Sequence, residues 1–241
     1  MGGSLTTRDE RVLELVGSGL FEGLLSLTPL TLDDTVLAAP LPVEVFGIYD
    51  EHLRGIGPLA DGSPVGELVR GLAAQGHRTF LHVAGDLGHE SARLRRDAYL
   101  DAVRDLGLRS YGVVESEWRP ESAVQAILEL PADSGVTAVV AANDLLAAGV
   151  VHGATARGWQ IPRDLSVTGY DSNVLGAWLS PALTTVQVDH AGLGRSAMRR
   201  LVARLRDEPL REDPTPRTTV VWRDSVGPAP AAHDAEPHGH D

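Results

Sequence analysis

The sequence first excludes several kinds of protein through what it lacks. Its 241 residues contain no cysteine, which rules out disulfides, thiolate nucleophiles and thiolate zinc sites. They contain no lysine either, so arginine supplies the permanent positive charge. No apolar run approaches the ~18 residues that a membrane-spanning helix needs. The opening MGGSLTTRDERVLELV has neither the apolar core of a secretory signal nor a lipid-anchor cysteine. We therefore expect a soluble cytoplasmic protein with no membrane partner.

Basic residues are also fewer than acidic ones. The chain has 33 acidic and 21 basic residues, for a net charge of −12. Such a chain repels phosphate, which predicts that this segment by itself binds nucleic acid poorly. The contents of 43% hydrophobic and 22% charged residues are ordinary for a globular protein. At this length we expect one large domain or two small ones.

Strand-like and helix-like segments alternate along the chain. Predicted strands include residues 43–49, 79–85, 136–142, 165–170 and 218–222, and helix-like segments separate most of them. Near-continuous apolar strands between helices are typical of an α/β fold with a doubly wound parallel sheet. Ligands of such folds bind beyond the carboxyl ends of the strands. Asn143 and Asp171 each follow a predicted strand directly, so we expect both at the ligand-binding edge.

Capping residues mark several helix boundaries. Ser63 is a candidate N-cap with Pro64 at the first helical position, and Asn143 or Asp144 is expected to cap a later helix. The final residues, 225–241, include the segment VGPAPAAHDAEPHGHD, which is rich in proline and alanine, and this composition predicts a disordered tail. The tail has histidines at 233, 238 and 240. A solvated tail is a simpler interpretation of them than a metal site.

Three blocks of sequence resemble the lactose/galactose-repressor (LacI/GalR) family of transcription regulators. They are GHRTFLHVAGDLGHESARLRRDAYLDAVRDLGL, TAVVAANDLLAAGVVHGATARGWQIPRDLSVTGYDSN and PALTTVQVDHAGLGRSAMRRLVARL. No single block is decisive, but three in the family's order and spacing are highly specific. The resemblance covers about residues 10–224.

The resemblance implies a particular domain organisation. Its regulatory domain has two Rossmann-like lobes of the periplasmic-binding-protein-like type I fold, and the chain crosses between them three times. Mapped onto this sequence, the first lobe is 1–57 plus 190–217, and the second is 58–189 plus 218–224. The second lobe is expected to be complete. The first is expected to lack its opening strand–helix–strand, and the helix-turn-helix DNA-binding head is expected to be absent.

The resemblance also assigns ligand-binding residues. It gives Arg95 a contact with effector hydroxyls, which suits a guanidinium that donates two parallel hydrogen bonds. Asn143 and Asp171 are assigned further hydroxyl contacts, although a helix N-cap and a turn residue are their structural alternatives. Trp118 aligns where lactose-type repressors carry a Trp that forms a flat floor for a sugar, and the alternative is a core or lid aromatic. His190 aligns with a pocket aromatic.

The segment after Asp171 is expected to form a dimer interface. Residues 172–182 carry no charge, and Leu175, Trp178 and Leu179 follow an i, i+3, i+4 spacing. Buried Trp and Leu are typical of interface cores, from which charge is depleted. The resemblance places this segment at the dimer contact of the second lobe. A Trp buried within its own lobe is the alternative.

These observations favour one function over two alternatives. We expect the effector-binding and dimerisation domain of a LacI-type repressor, with a sugar or sugar derivative as ligand, a homodimer partner and no cofactor. Operator DNA is expected as a partner only if a DNA-binding head lies upstream. A sugar-binding protein of a transport system is the first alternative. An enzyme on a doubly wound fold is the second, but no nucleophile, metal set or nucleotide loop supports it.

Overall fold

The chain forms two compact units in a computed structural model that describes residues 7–31, 41–210 and 217–230. The first unit comprises residues 1–61, 89–91 and 188–219, and the second comprises 62–88, 92–187 and 220–241. Within the described part of the chain, no helix combines the length and apolar character needed to cross a membrane.

A four-stranded parallel sheet organises the second unit. Its strands are β3 (Thr79–Ala84), β4 (Arg109–Glu115), β5 (Ala138–Ala141) and β6 (Ser166–Thr168), in the order β4-β3-β5-β6. The helices are α2 (Ser63–Ala74), α3 (Glu90–Asp105), α4 (Pro120–Leu128) and α5 (Asp144–Ala156). Each strand except the β4 edge is almost entirely buried, which is why these strands are continuous apolar runs. The predicted α/β fold with a parallel sheet is confirmed.

Helices α4 and α5 cover one face of this sheet. The core there contains Leu81 and Val83 of β3 and Val139 of β5, packed against Ile127 and Leu146 from the helices. The two helices approach each other through glycines one turn apart. A Cβ atom at Gly149 would lie 2.5 Å from the Pro120 carbonyl oxygen, and one at Gly153 would lie 2.9 Å from that of Val124. Only residues without a side chain allow this approach.

The first unit is built on shorter elements. These are α1 (Thr7–Gly17), β1 (Leu24–Ser26), β2 (Val43–Val45) and α6 (His190–Arg206), and β1 pairs with β2 in parallel. The strand predicted over 43–49 is therefore shorter than expected. The buried Glu44 holds α6 beside β2 through Arg200 Nε, 2.8 Å from its carboxylate. The chain passes from the second unit to the first within β7 (Thr185–Val188) and returns within β8 (Thr218–Val221), and these two strands pair.

Two boundary predictions need correction. Gly62, not Ser63, is the N-cap of α2, and Ser63 is its first residue. A Cβ atom at Gly62 would lie 2.2 Å from the Leu94 carbonyl oxygen, so a larger cap does not fit. The tail was predicted to be disordered from residue 225, but residues 225–230 pack on the second unit.

Backbone and side-chain hydrogen bonds order this first part of the tail. The buried Ser225 donates from Oγ to the Val167 carbonyl at 2.7 Å. The backbone N–H of Gly227 donates to Ser166 Oγ at 3.1 Å, and that of Ala229 donates to the Gln75 carbonyl at 2.9 Å. The prediction for 231–241, including the three histidines, lies outside the described residues.

Candidate functional site

Arg95 is held at the carboxyl edge of the sheet by groups that follow two different strands. It lies on α3 with only 4% of its surface exposed. Its Nη1 donates to the carbonyl of Ala142, just after β5, at 2.6 Å. Its Nη2 donates to Oδ1 of Asp171, beyond β6, at 3.3 Å. The guanidinium carbon lies 3.6 Å from the ring centroid of Tyr170, an additional cation–π contact. Arg95 is therefore oriented before any ligand arrives.

Asp171 presents its carboxylate from a left-handed backbone turn. Its φ is +92° and that of Ser172 is +49°, a region that residues other than glycine rarely occupy. Hydrogen bonds fix the turn: the Asp171 N–H donates to the Val186 carbonyl at 2.9 Å, and the Ser172 N–H donates to Thr185 Oγ1 at 3.2 Å. The Asp171 side chain is 47% exposed. Its carboxylate can therefore contact Arg95 on one side and a ligand on the other.

Asn143 caps α5 and leaves its amide group at the same edge. Its Oδ1 accepts from the Leu146 N–H at 2.9 Å, as a standard N-cap. The N-cap alternative is thus realised. It does not exclude ligand contact, because the cap uses Oδ1 and the Nδ2 donor makes no hydrogen bond to the described residues.

Trp118 covers the end of the neighbouring strand β3. Its ring packs partly buried against the core of the second unit. A Cβ atom at Gly85, the residue after β3, would lie 2.3 Å from the Trp118 ring. Trp118 also has a positive φ of +61°. The glycine and the turn together place the indole at the carboxyl end of β3, the strand that pairs with β5.

The structure thus brings Arg95, Asn143 and Asp171 to one edge of the sheet, with Trp118 at the end of the adjacent strand. His190 belongs to the first unit, where it is the exposed first residue of α6, and its ligand role remains a prediction. Among the residues that the structure describes, no cluster of three or more His, Asp or Glu side chains is arranged to hold a metal ion.

Asp144, which the sequence predicts only as a candidate helix cap, lies at the same edge and contacts the turn that carries Asp171. Its Oδ1 accepts from Thr185 Oγ1 at 2.5 Å and its Oδ2 accepts from the Asn173 N–H at 2.5 Å. Its own N–H donates to the Tyr170 carbonyl at 2.8 Å. Asp144 therefore joins the start of α5 to the turn that carries Asp171. Burial is the main cause that raises its pKa to about 6, and the nearby Asp171 adds to the rise.

The raised pKa of Asp144 predicts a pH-dependent contribution to stability. A carboxyl pKa above its unfolded value of 3.8 means that the folded state binds the proton more tightly. The resulting stabilisation is fully present below pH 3.8 and disappears as pH rises through 6. Between pH 7 and pH 4 it amounts to about 2 kcal/mol. We expect the free energy of unfolding of the parent, minus that of Asp144→Asn, to increase by this amount as pH falls. Urea unfolding at each pH measures it, and a pH-independent difference would contradict the assignment.

The segment after Asp171 is a short 3₁₀ helix, Val174–Trp178. Three of its apolar side chains are largely exposed: Val174 at 76%, Leu175 at 72% and Trp178 at 82%. The expected i, i+3, i+4 stripe is wrong at its last position. A 3₁₀ helix has three residues per turn, so Leu175 and Trp178 share a side, whereas Leu179 lies beyond the helix and packs against the core of its own unit. We call Val174, Leu175 and Trp178 the apolar patch.

Comparisons with known proteins agree on one family. A model of the periplasmic binding protein-like domain matches residues 69–226. The lactose operon repressor of Klebsiella pneumoniae is 34% identical over 172 residues, 71% of this chain and 49% of that protein. The ribose operon repressor of Haemophilus influenzae is 32% identical over 178 residues, 72% of this chain and 54% of that protein. This chain therefore spans about half the length of the curated relatives that it matches.

Solved structures give the same result for the fold. The crystal structure of the lac repressor dimer bound to operator and the anti-inducer ONPF matches with a TM-score of 0.65 at 25% identity. The match covers 91% of this chain and 78% of that one. Both described units therefore contribute to the similarity.

Proposed function

This chain belongs to the periplasmic binding protein-like domain family as found in LacI-type repressors, and we propose that it binds a small polyhydroxylated effector, a sugar or sugar derivative. The observation that carries the proposal is the Arg95–Asp171 pair, a rigid donor beside a half-exposed acceptor. Neighbouring hydroxyls of a sugar need both kinds of partner. The relatives' names mention lactose and ribose operons, which supports a sugar without selecting one.

The geometry suggests how hydroxyl groups would be held. The 2.6 Å bond from Arg95 to the Ala142 carbonyl is short and fixes the guanidinium. The 3.3 Å bond to Asp171 is longer than the usual charge-assisted hydrogen bond of about 2.7–2.9 Å. An effector hydroxyl can therefore accept from Nη2 and donate to the Asp171 carboxylate. Asn143 Nδ2 offers a further donor, and the Trp118 ring offers an apolar surface for C–H groups.

We further propose that the domain regulates transcription rather than catalysing a reaction. Its relatives are named as repressors, and one similar structure is described as bound to operator. DNA contact would then belong to other parts of such repressors, since this chain carries a charge of −12. A repressor acts on DNA, which also supports a cytoplasmic location. The effector could shift the regulator between states only by as much as its affinities for those states differ.

The apolar patch supports a homodimer as the working form. Val174, Leu175 and Trp178 are exposed together on a segment without charge, and the similar lac repressor structure is a dimer. The segment begins next to Asp171, so the proposed effector contact and the proposed subunit contact are neighbours in the chain.

Removal of the Arg95 side chain should sharply weaken effector binding. Arg95→Ala deletes the donor and leaves ligand hydroxyls and the Asp171 carboxylate without a partner, a loss of about 2–3 kcal/mol or ~30–100-fold in affinity. Titration calorimetry with a panel of pentoses, hexoses and disaccharides, including ribose and lactose, first identifies a ligand and then measures the loss.

Arg93→Ala is the matched control for this experiment. Arg93 lies on the same helix but is exposed and donates to the Leu87 carbonyl, so we expect its affinity to equal that of the parent. If Arg95→Ala binds as tightly as the parent, Arg95 does not contact the effector.

A further inference from the structure

A histidine lies inside the sheet behind the candidate site. His82 occupies the middle of β3 and is fully buried. Its Nδ1 lies 2.7 Å from the Val140 carbonyl oxygen on β5. Because a carbonyl only accepts, Nδ1 carries the proton and Nε2 is left as an acceptor. Burial lowers the pKa of His82 to about 4, so the ring is neutral at neutral pH.

The face of the His82 ring contacts α3. It stacks on Tyr99 with ring centroids 4.9 Å apart and an interplanar angle of 19°. The hydroxyl of Tyr99 is also held in place, because it lies 2.9 Å from Ser110 Oγ on β4. Arg95 precedes Tyr99 by four residues and therefore lies on the same face of α3. His82 thus supports α3 one helical turn from Arg95.

His82 and Arg95 also use neighbouring carbonyls of the same backbone segment. His82 donates to the carbonyl of Val140 and Arg95 donates to that of Ala142. Residues two apart along a strand direct their carbonyls to the same side, about 6.6 Å apart. His82 therefore links β5 to α3 through Val140 and Tyr99, and Arg95 links α3 to Ala142, the residue that follows β5.

The polar atoms that remain on the two side chains are complementary. Within the described residues, neither His82 Nε2 nor Arg95 Nε has a hydrogen-bond partner. The first is an acceptor and the second is a donor, and the charge of Arg95 acts on the His82 ring. The guanidinium of Arg95 therefore contributes to the electrostatic surroundings of the His82 ring.

We propose that His82 is a positioning residue that fixes the Arg95 guanidinium by linking β5 to α3. The imidazole does this with its N–H on the Val140 carbonyl and its face on Tyr99. An aliphatic residue would fill the space in the sheet but could not make the hydrogen bond. The effect of His82 on effector affinity rests on the proposed function, whereas its effect on Arg95 does not.

The position of Arg95 can be measured without a ligand. We would record the Nε–H signal of Arg95 by ¹⁵N NMR in the full chain, assigned by its loss in Arg95→Lys, and follow its hydrogen exchange. We expect His82→Leu to accelerate this exchange about tenfold. His82→Asn keeps a donor near Nδ1 and His82→Phe keeps the ring face, so each should accelerate it less than His82→Leu does.

Phe80→Leu is the matched control. Phe80 is fully buried two residues earlier on the same strand, so it points to the same face of the sheet. Its ring pairs edge-on with that of His77, at 6.4 Å between centroids, and its side chain supplies no hydrogen bond to β5. We expect this loss of core volume to leave the Arg95 exchange rate within about twofold of the parent. Exchange that is unchanged in His82→Leu, or equally accelerated in Phe80→Leu, would overturn the proposal. If His82→Leu does not fold, His82→Asn and His82→Phe take its place. Arg95 exchange that is no faster in them than in Phe80→Leu would then overturn the proposal.

Calorimetry then separates the two proposals. With the panel sugar that binds the parent, His82→Leu should weaken affinity about fivefold to tenfold and should have no further effect in an Arg95→Ala background. An equal loss in both backgrounds would show that His82 does not act through Arg95. If no panel sugar binds while the NMR result is as expected, the proposed function fails and the positioning role of His82 stands.

Discussion

Gly149→Ala should lower the free energy of unfolding by about 2 kcal/mol, although alanine is the better helix former. Helix propensity alone predicts a gain of about 1 kcal/mol. The gain is outweighed because the added Cβ would lie 2.5 Å from the Pro120 carbonyl oxygen and 3.0 Å from the Ala123 Cβ. The obstacle includes the backbone of α4, so relief requires the two helices to separate and to expose the core beneath them. Urea unfolding followed by circular dichroism measures the loss.

Gly112→Ala is the control in the same unit. Gly112 lies on β4, and a Cβ atom there would meet nothing within 4 Å. Its replacement should stabilise the protein by about 0.5–1 kcal/mol, because alanine loses less backbone entropy on folding. If Gly149→Ala stabilises the chain as Gly112→Ala does, the close approach of α4 and α5 is wrong.

The sequence predicts the fold well because its signals there are local. The apolar run 136–142 contains β5, and Asn143 occurs where a helix needs a cap. The same reasoning placed Asn143 and Asp171 at strand ends, and in a parallel sheet such ends share one edge. Arg95 has no such signal, since nothing in the spacing of arginines on α3 distinguishes it from Arg93. Its assignment depended on the family resemblance.

Features that depend on tertiary contacts could not be predicted in this way. In the sequence, His82 is a single polar residue within an apolar strand, and only the structure shows that it contacts Val140 and Tyr99. Asp144 reads as a helix-capping residue, yet its carboxylate accepts from Thr185 and from the Asn173 backbone. The first residues of the tail have the composition of a disordered segment, but their backbone N–H groups donate to the Gln75 carbonyl and to the Ser166 hydroxyl. In each case the partner is distant in sequence, so no local pattern reports it.

The apolar patch leads to the prediction with the largest effect on assembly. Trp178 has 82% of its surface exposed and Leu175 has 72%, so the alternative of a Trp buried within its own unit does not describe this residue. The 3₁₀ helix that carries them is nevertheless well anchored. Asn173 Oδ1 accepts from the Leu175 N–H at 3.0 Å and the Leu183 N–H donates to the Gly176 carbonyl at 2.9 Å. A fixed, uncharged segment that presents a Trp to solvent has the character of an interface anchor.

Trp178→Asp should therefore give a folded monomer where the parent is a dimer. Burial of an aspartate against a second copy of the patch would bring two carboxylates into an apolar contact, which destabilises the dimer. Loss of the Trp178 contact weakens dimerisation by about 2–4 kcal/mol more. We expect the dimer dissociation constant to rise at least about 100-fold in sedimentation velocity at matched concentrations. Because Trp178 contributes little to the core of its own unit, circular dichroism and the unfolding midpoint should match those of the parent.

Leu128→Asp tests whether any exposed apolar residue gives this result. Leu128 ends α4 and is 43% exposed, outside the apolar patch. This variant receives the same charge and should sediment as a dimer. A folded Trp178→Asp protein that remains dimeric would refute the interface, and dissociation by both variants would trace the effect to charge alone. Dissociation by Trp178→Asp alone would place the subunit contact on the segment that begins next to Asp171, so that one short stretch of chain serves both the proposed effector site and the dimer.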